Sequence, residues 1–334
     1  MNKRTISLDI LRSLAAVSVA VFHVLTSSSY NDSTLSAHLD SIISAISNTL
    51  LWHVPVFFMI TGYLWLQNSK ECTLSKVFPN IRRFIYVLFT IGLAYAVIER
   101  YFHERILSVS LLIQSISDVF TGNLWDHMWY LYTISVLYLL LPFIKKIYSA
   151  IPENKLSCLI MLLFIFSFAP LILCEITGYR FPFTASVFTS LFYVCIGGWI
   201  ARRKYIKRQT GYLSACIFCF CTILTYLGTR FVNNIDMWIP LLTCISAVSI
   251  FIFCSVLFAS DTESKLLRTF ADCTFGIYLF HPFFINVMIK GLHLYPMRYY
   301  PWISLPVVCI GIIGLSFAVT CTLRRVPWIR KYIL

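Results

Sequence analysis

The chain has 334 residues, of which 59% are hydrophobic and only 12% charged, and its mean hydropathy is +0.79. So little polar side chain cannot cover a soluble globule of this size, which excludes a water-soluble enzyme and makes the bilayer the natural solvent. A net charge of +13 and a pI near 9.2 would suggest nucleic acid in a soluble protein, but here the cations fall in short loops between apolar stretches, where membrane orientation requires them, and no nucleic-acid partner is expected.

Taken in chain order, the apolar runs predict an all-α polytopic bundle with spans near 7–27, 42–66, 82–99, 127–148, 156–174, 184–201, 210–228, 237–259, 272–290 and 302–323. Each is close to the ~20 residues a helix needs to cross ~30 Å of hydrocarbon. The first follows Met1-Asn2-Lys3-Arg4 as a signal sequence would, yet it carries Asp9, Arg12 and His23 and lacks a small-residue cleavage site, so it reads as a retained helix.

Ionisable groups inside a span cost about 2.5 to 3.5 kcal/mol each on insertion scales and default to partners or pathways. Asp9 precedes Arg12 by three residues, close enough to orient or neutralise it. His23 follows Arg12 by eleven residues, about three turns, which places the two on one face roughly 16 Å apart along the axis. One stripe therefore joins a site near the inner surface to a deeper one.

The second span contains LWHVPVFFMITGYL, Leu51 to Leu64, where Pro55 is expected to break or kink the helix and Thr61-Gly62 to admit another backbone or a ligand. Lys76, Arg82 and Arg83 lie at the entry to the third. Residues 104–121 are apolar but interrupted by Gln114, Ser115, Ser117 and Asp118, which favours a surface-lying or re-entrant helix over a further span. The fourth opens at HMWYLYTISVLYLLLPFI, His127 to Ile144, just after Trp125 and Asp126. Trp125 and Trp129 suit interfacial anchoring.

Cys216, Cys219 and Cys221 share one apolar stretch without a matching ligand pair, so they read as small buried packing residues, and no metal is expected. The ninth span contains FGIYLFHPFF, Phe275 to Phe284, with His281 directly before Pro282. The proline frees a backbone carbonyl one turn upstream, a polar lining for a cavity.

With ten spans and a cytoplasmic N-terminus, 20 of the 27 Lys and Arg residues fall inside, Arg12 lies within the first span, and only Arg100, Arg105, Arg180, Arg230, Lys290 and Arg298 fall outside. That asymmetry puts both termini in the cytoplasm.

LDILRSLAAVSVAVFHV in the first span, followed in order by FFMITGYL, HMWYL and FGIYLFH, resembles the membrane-bound acyltransferase 3 family over essentially the whole chain. The resemblance implies about ten spans and transfer of an acyl group, usually acetyl from acetyl-CoA, to hydroxyls or amines of sugars. It implies that His23 is catalytic, with Arg12 as its companion; Asp9 joins the catalytic group through its three-residue spacing from Arg12. Where the family often has arginines spaced R-x-x-R, this chain has adjacent Arg82 and Arg83, so the spaced pair is absent unless Lys76 substitutes.

These three cations would hold the phosphates of acetyl-CoA. Trp125, Asp126, His127, Trp129 and His281 are candidates for the acceptor, because aromatic faces suit sugar rings and histidines or carboxylates suit hydroxyls. On this reading residues 1–334 form a single membrane domain with no appended esterase-like domain. The reading implies an O-acetyltransferase of a bacterial surface polysaccharide such as a lipid-linked O-antigen unit, placed in the bacterial inner membrane, with a lipid-linked or polymeric saccharide as acceptor. Oligomeric state stays open. The rival reading is a transporter or flippase of a lipid-linked saccharide or small solute, since buried charges and prolines also describe ion-coupled carriers, although the two halves show no inverted repeat.

Overall fold

The computed structural model describes residues 5–67, 71–178, 185–203, 206–232, 235–258 and 264–334. Lys3, Arg4, Lys70, Arg180 and Lys204, which enter the cation count, and residue 184 at the start of the sixth span lie outside the described residues.

Hydrocarbon offers backbone N–H and C=O groups no partner, so an apolar run of span length satisfies them internally as helix. The described residues accordingly form an all-α protein, 86% helical and without strands. The helices are α1 (Ile6–Tyr30), α2 (Ala37–Thr49), α3 (His53–Trp65), α4 (Leu74–Val87), α5 (Leu93–Glu104), α6 (Val109–Thr121) and α7 (Trp129–Ala150). They continue as α8 (Glu153–Thr177), α9 (Ala185–Arg202), α10 (Arg208–Phe231), α11 (Ile239–Leu257), α12 (Lys265–Asn286), α13 (Pro301–Leu323) and α14 (Pro327–Tyr332).

Nine segments among the described residues are long and apolar enough to cross a membrane. The sixth span read from sequence corresponds to α9, whose apolar stretch Val187–Arg202 falls short of that length among the described residues. The helices divide into two compact units, one of residues 1–67 and 153–322, the other of residues 68–152 and 323–334.

In the first unit the second span is two helices. The break falls at Leu50–Trp52, before Pro55, which sits as the third residue of α3. A proline is tolerated in the first turn because its missing N–H has no intrahelical partner there. The Leu50 carbonyl is held by three donors: the His53 N–H at 3.4 Å, His53 Nδ1 at 2.5 Å and the Ser18 hydroxyl of α1 at 3.1 Å.

Thr61-Gly62 does admit another backbone, that of α9. A Cβ on Gly62 would fall inside the van der Waals radius of the Val194 carbonyl, and one on Gly197 inside that of the Met59 carbonyl. Backbone cannot step aside cheaply, so Gly62→Ala and Gly197→Ala each lose at least about 1 to 3 kcal/mol to overpacking. Gly314, with nothing within 4 Å of such a Cβ, is the control: Gly314→Ala gains up to about 1 kcal/mol from helix propensity. Thermal unfolding in detergent separates the two classes, and a Gly62→Ala protein melting with the wild type would refute the close seam.

Past the end of α1, Asp32 Oδ1 accepts from Arg298 Nε at 3.1 Å and Nη2 at 3.0 Å, and from the Thr34 backbone N–H and hydroxyl at 3.1 and 2.6 Å. Burial acts to raise the Asp32 carboxyl, but the Arg298 hydrogen bonds, the two from Thr34 and the Arg298 charge outweigh it and hold the group below the usual carboxylate range. A folded value below the unfolded one contributes stability that is present above the unfolded value, about pH 4, and is lost as pH falls through the folded value. Asp32→Asn therefore lowers Tm at neutral pH and flattens its decline toward acid; parallel Tm-against-pH curves for the two proteins would count against this.

In the second unit the third span starts earlier than hydropathy suggests. Leu74, Val77, Phe78 and Ile81 recur at helical spacing, so α4 begins at Leu74 and makes Lys76, Arg82 and Arg83 helical residues rather than loop residues. It continues through a π turn, Leu88–Gly92, into α5. The interrupted segment is α6, with Ser108 accepting from the Leu111 N–H at its start and Gly122 at φ +77° at its end. The polar residues that argued against a span dock it: Arg100 of α5 donates to Asp118 at 2.6 and 3.0 Å and to Gln114 at 2.5 Å. Val109, Ile113 and Phe120 stay exposed, the pattern of an interfacial helix.

Of the seventh-span cysteines only Cys221 is buried; Cys216 and Cys219 are exposed on α10. That corrects their reading as buried packing residues, because on a helix flanked by lipid the outer face is as apolar as the inner.

Candidate functional site

The first unit gathers three histidines through α1, α3 and α12. α1 is one uninterrupted helix, so Arg12 and His23 keep their three-turn relation. Arg12 Nη1 lies 4.0 Å from Asp9 Oδ1, with Asp9 buried and the Arg12 side chain 31% exposed. The Ser13 hydroxyl donates to the Asp9 carbonyl at 2.8 Å.

His23 is half-buried. Its ring lies edge-on to Phe22, centroids 5.2 Å apart at 81°, and beside His281 at 5.3 Å and 38°. Phe22 also contacts His53 at 5.5 Å. His53 and His281 are 4% and 0% exposed, so His23 is the most open of the three.

Two of these rings are fixed by backbone carbonyls. His281 Nδ1 donates to the Ile277 carbonyl at 2.9 Å, and the Tyr278 carbonyl, the one deprived of an N–H by Pro282 four residues on, also lies in hydrogen-bonding reach of that ring. The carbonyl that the proline frees thus lines the histidine beside it. α12 then runs into a second π turn, Val287–Gly291, a distortion frequent near functional sites.

The second unit holds the remaining candidates in two groups. Trp125 stacks on Tyr95, 4.1 Å between centroids and 18° between planes, and its Nε1 donates to Glu99 Oε2 at 2.9 Å. Buried His127 lies 6.1 Å from Tyr95 and 6.5 Å from Trp125. One face of the Trp125 indole is thereby covered. Asp126 and Trp129 are exposed.

The cations form the other group. Lys76 pairs with Glu71 at 2.7 Å, both exposed. Arg82 lies over the Tyr332 ring at 5.1 Å, and Arg83 Nε donates to the Ile333 carbonyl at 3.2 Å. Adjacent helical residues diverge by about 100°, yet both guanidinium groups meet the segment around α14, and Arg324 is near enough to Arg83 to act on its charge. Two guanidinium groups on one segment fit a diphosphate in chemistry, whereas Lys76 stays with Glu71.

Sequence reasoning did not single out His53, Tyr95, Glu99 or Tyr332 as site residues. His53 lay within a quoted motif, but its carbonyl bond and ring contact depend on the break at Leu50. Among the described residues no group of three or more His, Cys, Asp or Glu side chains could hold a metal ion.

The family model of the acyltransferase 3 type, described as an acyltransferase domain, matches residues 5–321. No curated protein and no solved structure matches the chain.

Proposed function

The chain belongs to this family of membrane acyltransferases, and on that premise we propose that it moves an acetyl group from acetyl-CoA to a sugar hydroxyl of a bacterial surface polysaccharide, such as a lipid-linked O-antigen unit, in the inner membrane. The observation that carries the reading is His23 itself: a half-buried imidazole within a span, on one helix with the Asp9–Arg12 pair and beside the sealed His281.

A sugar hydroxyl attacks a thioester slowly because the alcohol is a weak nucleophile. Neutral His23 takes the hydroxyl proton as the oxygen bonds to the acetyl carbon; the carbon–sulfur bond then breaks, and the proton passes from the imidazolium to the departing thiolate. Both termini are cytoplasmic in this proposal. Within the second unit Arg82 and Arg83, with Lys76 in a lesser role, are the cations we assign to the CoA phosphates; within the first, the Arg12–His23 stripe is the place we assign to the reacting thioester. Trp125 and His127 in the second unit and His281 in the first are each assigned as candidates for contact with the acceptor.

Mass spectrometry of surface glycans from cells with and without the gene tests the reading. Glycans lacking one acetyl group in the deletion support it; identical glycans, or purified protein in nanodiscs that releases no CoA thiol from acetyl-CoA with the extracted glycan, refute it.

A further inference from the structure

The face of α1 that carries Arg12 and His23 continues past them. The helix is unbroken to Tyr30, and at about 1.5 Å per residue it is long enough to cross the hydrocarbon, so Tyr30 stands at the end of the span remote from Asp9 and Arg12. Seven residues, just under two turns, separate Tyr30 from His23, which puts it on the His23 face about 10 Å further along. Exposure rises along that face: His23 and Ser27 are half-buried, and Tyr30 is 91% exposed, with both faces of its ring open. Thr26 donates its hydroxyl to the Phe22 carbonyl at 2.9 Å and Ser29 donates to the Asp40 carboxylate, while Ser28 is sealed. Ser27, one turn beyond His23, is the hydroxyl of this run that the face presents between the two rings.

An aromatic ring at a span end is ordinarily an interfacial anchor lying against lipid. α1 is poorly placed for that. It packs against α2, α3, α11 and α12 and is the most enclosed of the nine spans among the described residues, so its last turn opens to water rather than to acyl chains. Past its end, Arg298 donates to Asp32 at 3.0 and 3.1 Å and holds the loop after α12 there. Tyr299 and Tyr300, 62% and 84% exposed, come to the same end of α1 with that loop. Because Arg298 is paired with Asp32, the patch offers rings and hydroxyls rather than charge, the chemistry of a saccharide and not of an anion.

We propose that Tyr30 is an acceptor-binding residue: its ring stacks on one sugar of a saccharide while a hydroxyl of another sugar, about 10 Å down the same helix face, meets His23. The subsite deepens the acetyl-transfer reading and rests on it for its place in the reaction. Its ligand is a saccharide of at least two residues, because a single sugar ring does not reach from Tyr30 to His23. The length of the acceptor therefore decides how much Tyr30 contributes.

Full-length protein in nanodiscs is given oligosaccharides cut from the surface glycan of cells lacking the gene and graded by length. Tyr30→Ala changes an exposed side chain and should fold normally. It is expected to raise KM for fragments of two or more residues about tenfold, equivalent to about 1.4 kcal/mol, with KM for acetyl-CoA and Tm unchanged. Single-residue fragments should react with it as they do with the wild type. Tyr30→Phe, which keeps the ring, stays within about twofold of the wild type. Saturation-transfer NMR without acetyl-CoA reads the same contact apart from the chemistry: the longer fragments receive saturation from the wild type and much less from Tyr30→Ala.

Equal KM for the longer fragments in the wild type and Tyr30→Ala overturns the proposal. So does a loss shared by single-residue fragments, a fall in Tm without a change in KM, which marks a lipid anchor, or no saturation transfer from the wild type. Saturation transfer that depends on Tyr30 with no acetyl transferred would instead sink the acetyl-transfer reading and keep the subsite.

Discussion

Replacing His23 with Ala should lower acetyl transfer by about 10² to 10⁴, the contribution of a positioned general base, while the protein still inserts and accumulates. His23 is half-buried and packs edge-on against Phe22 and beside His281, so truncation leaves a gap in which those rings can settle without breaking the main-chain bonds that hold His53 and His281. KM for acetyl-CoA should change little, because the loss is confined to the transition state. His23→Gln distinguishes base from contact: it preserves size and a hydrogen-bonding end but cannot carry the proton to the thiolate, so it should be as inactive as Ala. Acetylation near the wild-type level by either variant, measured as acetyl released onto glycan per folded protein, removes His23 from the mechanism.

The part of this arrangement legible in the sequence is the part carried by one helix. Arg12 and His23 share α1, and eleven residues of unbroken helix translate spacing into geometry with no tertiary information. The proximity of Asp9 to Arg12 is equally local. The amphipathic segment was legible for a related reason, since Gln114 and Asp118 fall on the docked face of α6 and make the contacts to Arg100.

What escaped reading depends on which helices meet. His23 and His281 are far apart in sequence, and only the packing of α1 against α12 makes them neighbours. Gly62 advertised a close approach without naming the α9 backbone that makes it. The early start of α4 was hidden because hydropathy ends a span at its first cation, whereas the helix follows the spacing of Leu74, Val77 and Ile81 past Lys76. Arg82 and Arg83 gave no sign that Tyr332 and Ile333 would come to them, since a six-residue helix near the end of a chain has no periodicity to read.

That last contact makes the donor site testable apart from the chemistry. If Arg82 holds a CoA phosphate, Arg82→Ala raises KM for acetyl-CoA while leaving kcat nearly unchanged, because a contact made equally in ground and transition states changes binding alone. One charge-assisted hydrogen-bond pair is worth about 1.5 to 3 kcal/mol, which is roughly tenfold to a hundredfold in KM. Arg82→Lys should recover little of this, since an ammonium cannot grip a phosphate with two parallel bonds. Arg83 carries a second role through the Ile333 carbonyl, so Arg83→Ala is expected to raise KM and lower Tm together, whereas Arg82, which meets Tyr332 only through its ring face, should raise KM alone. Lys76→Ala, which gives up a pair exposed to solvent on both sides, should change neither by more than about twofold, the scale of an exposed ion pair. Competition by desulfo-CoA shared by wild type and Arg82→Ala at the same concentration would show that the guanidinium does not touch the donor, and would leave the phosphate to other cations of the second unit.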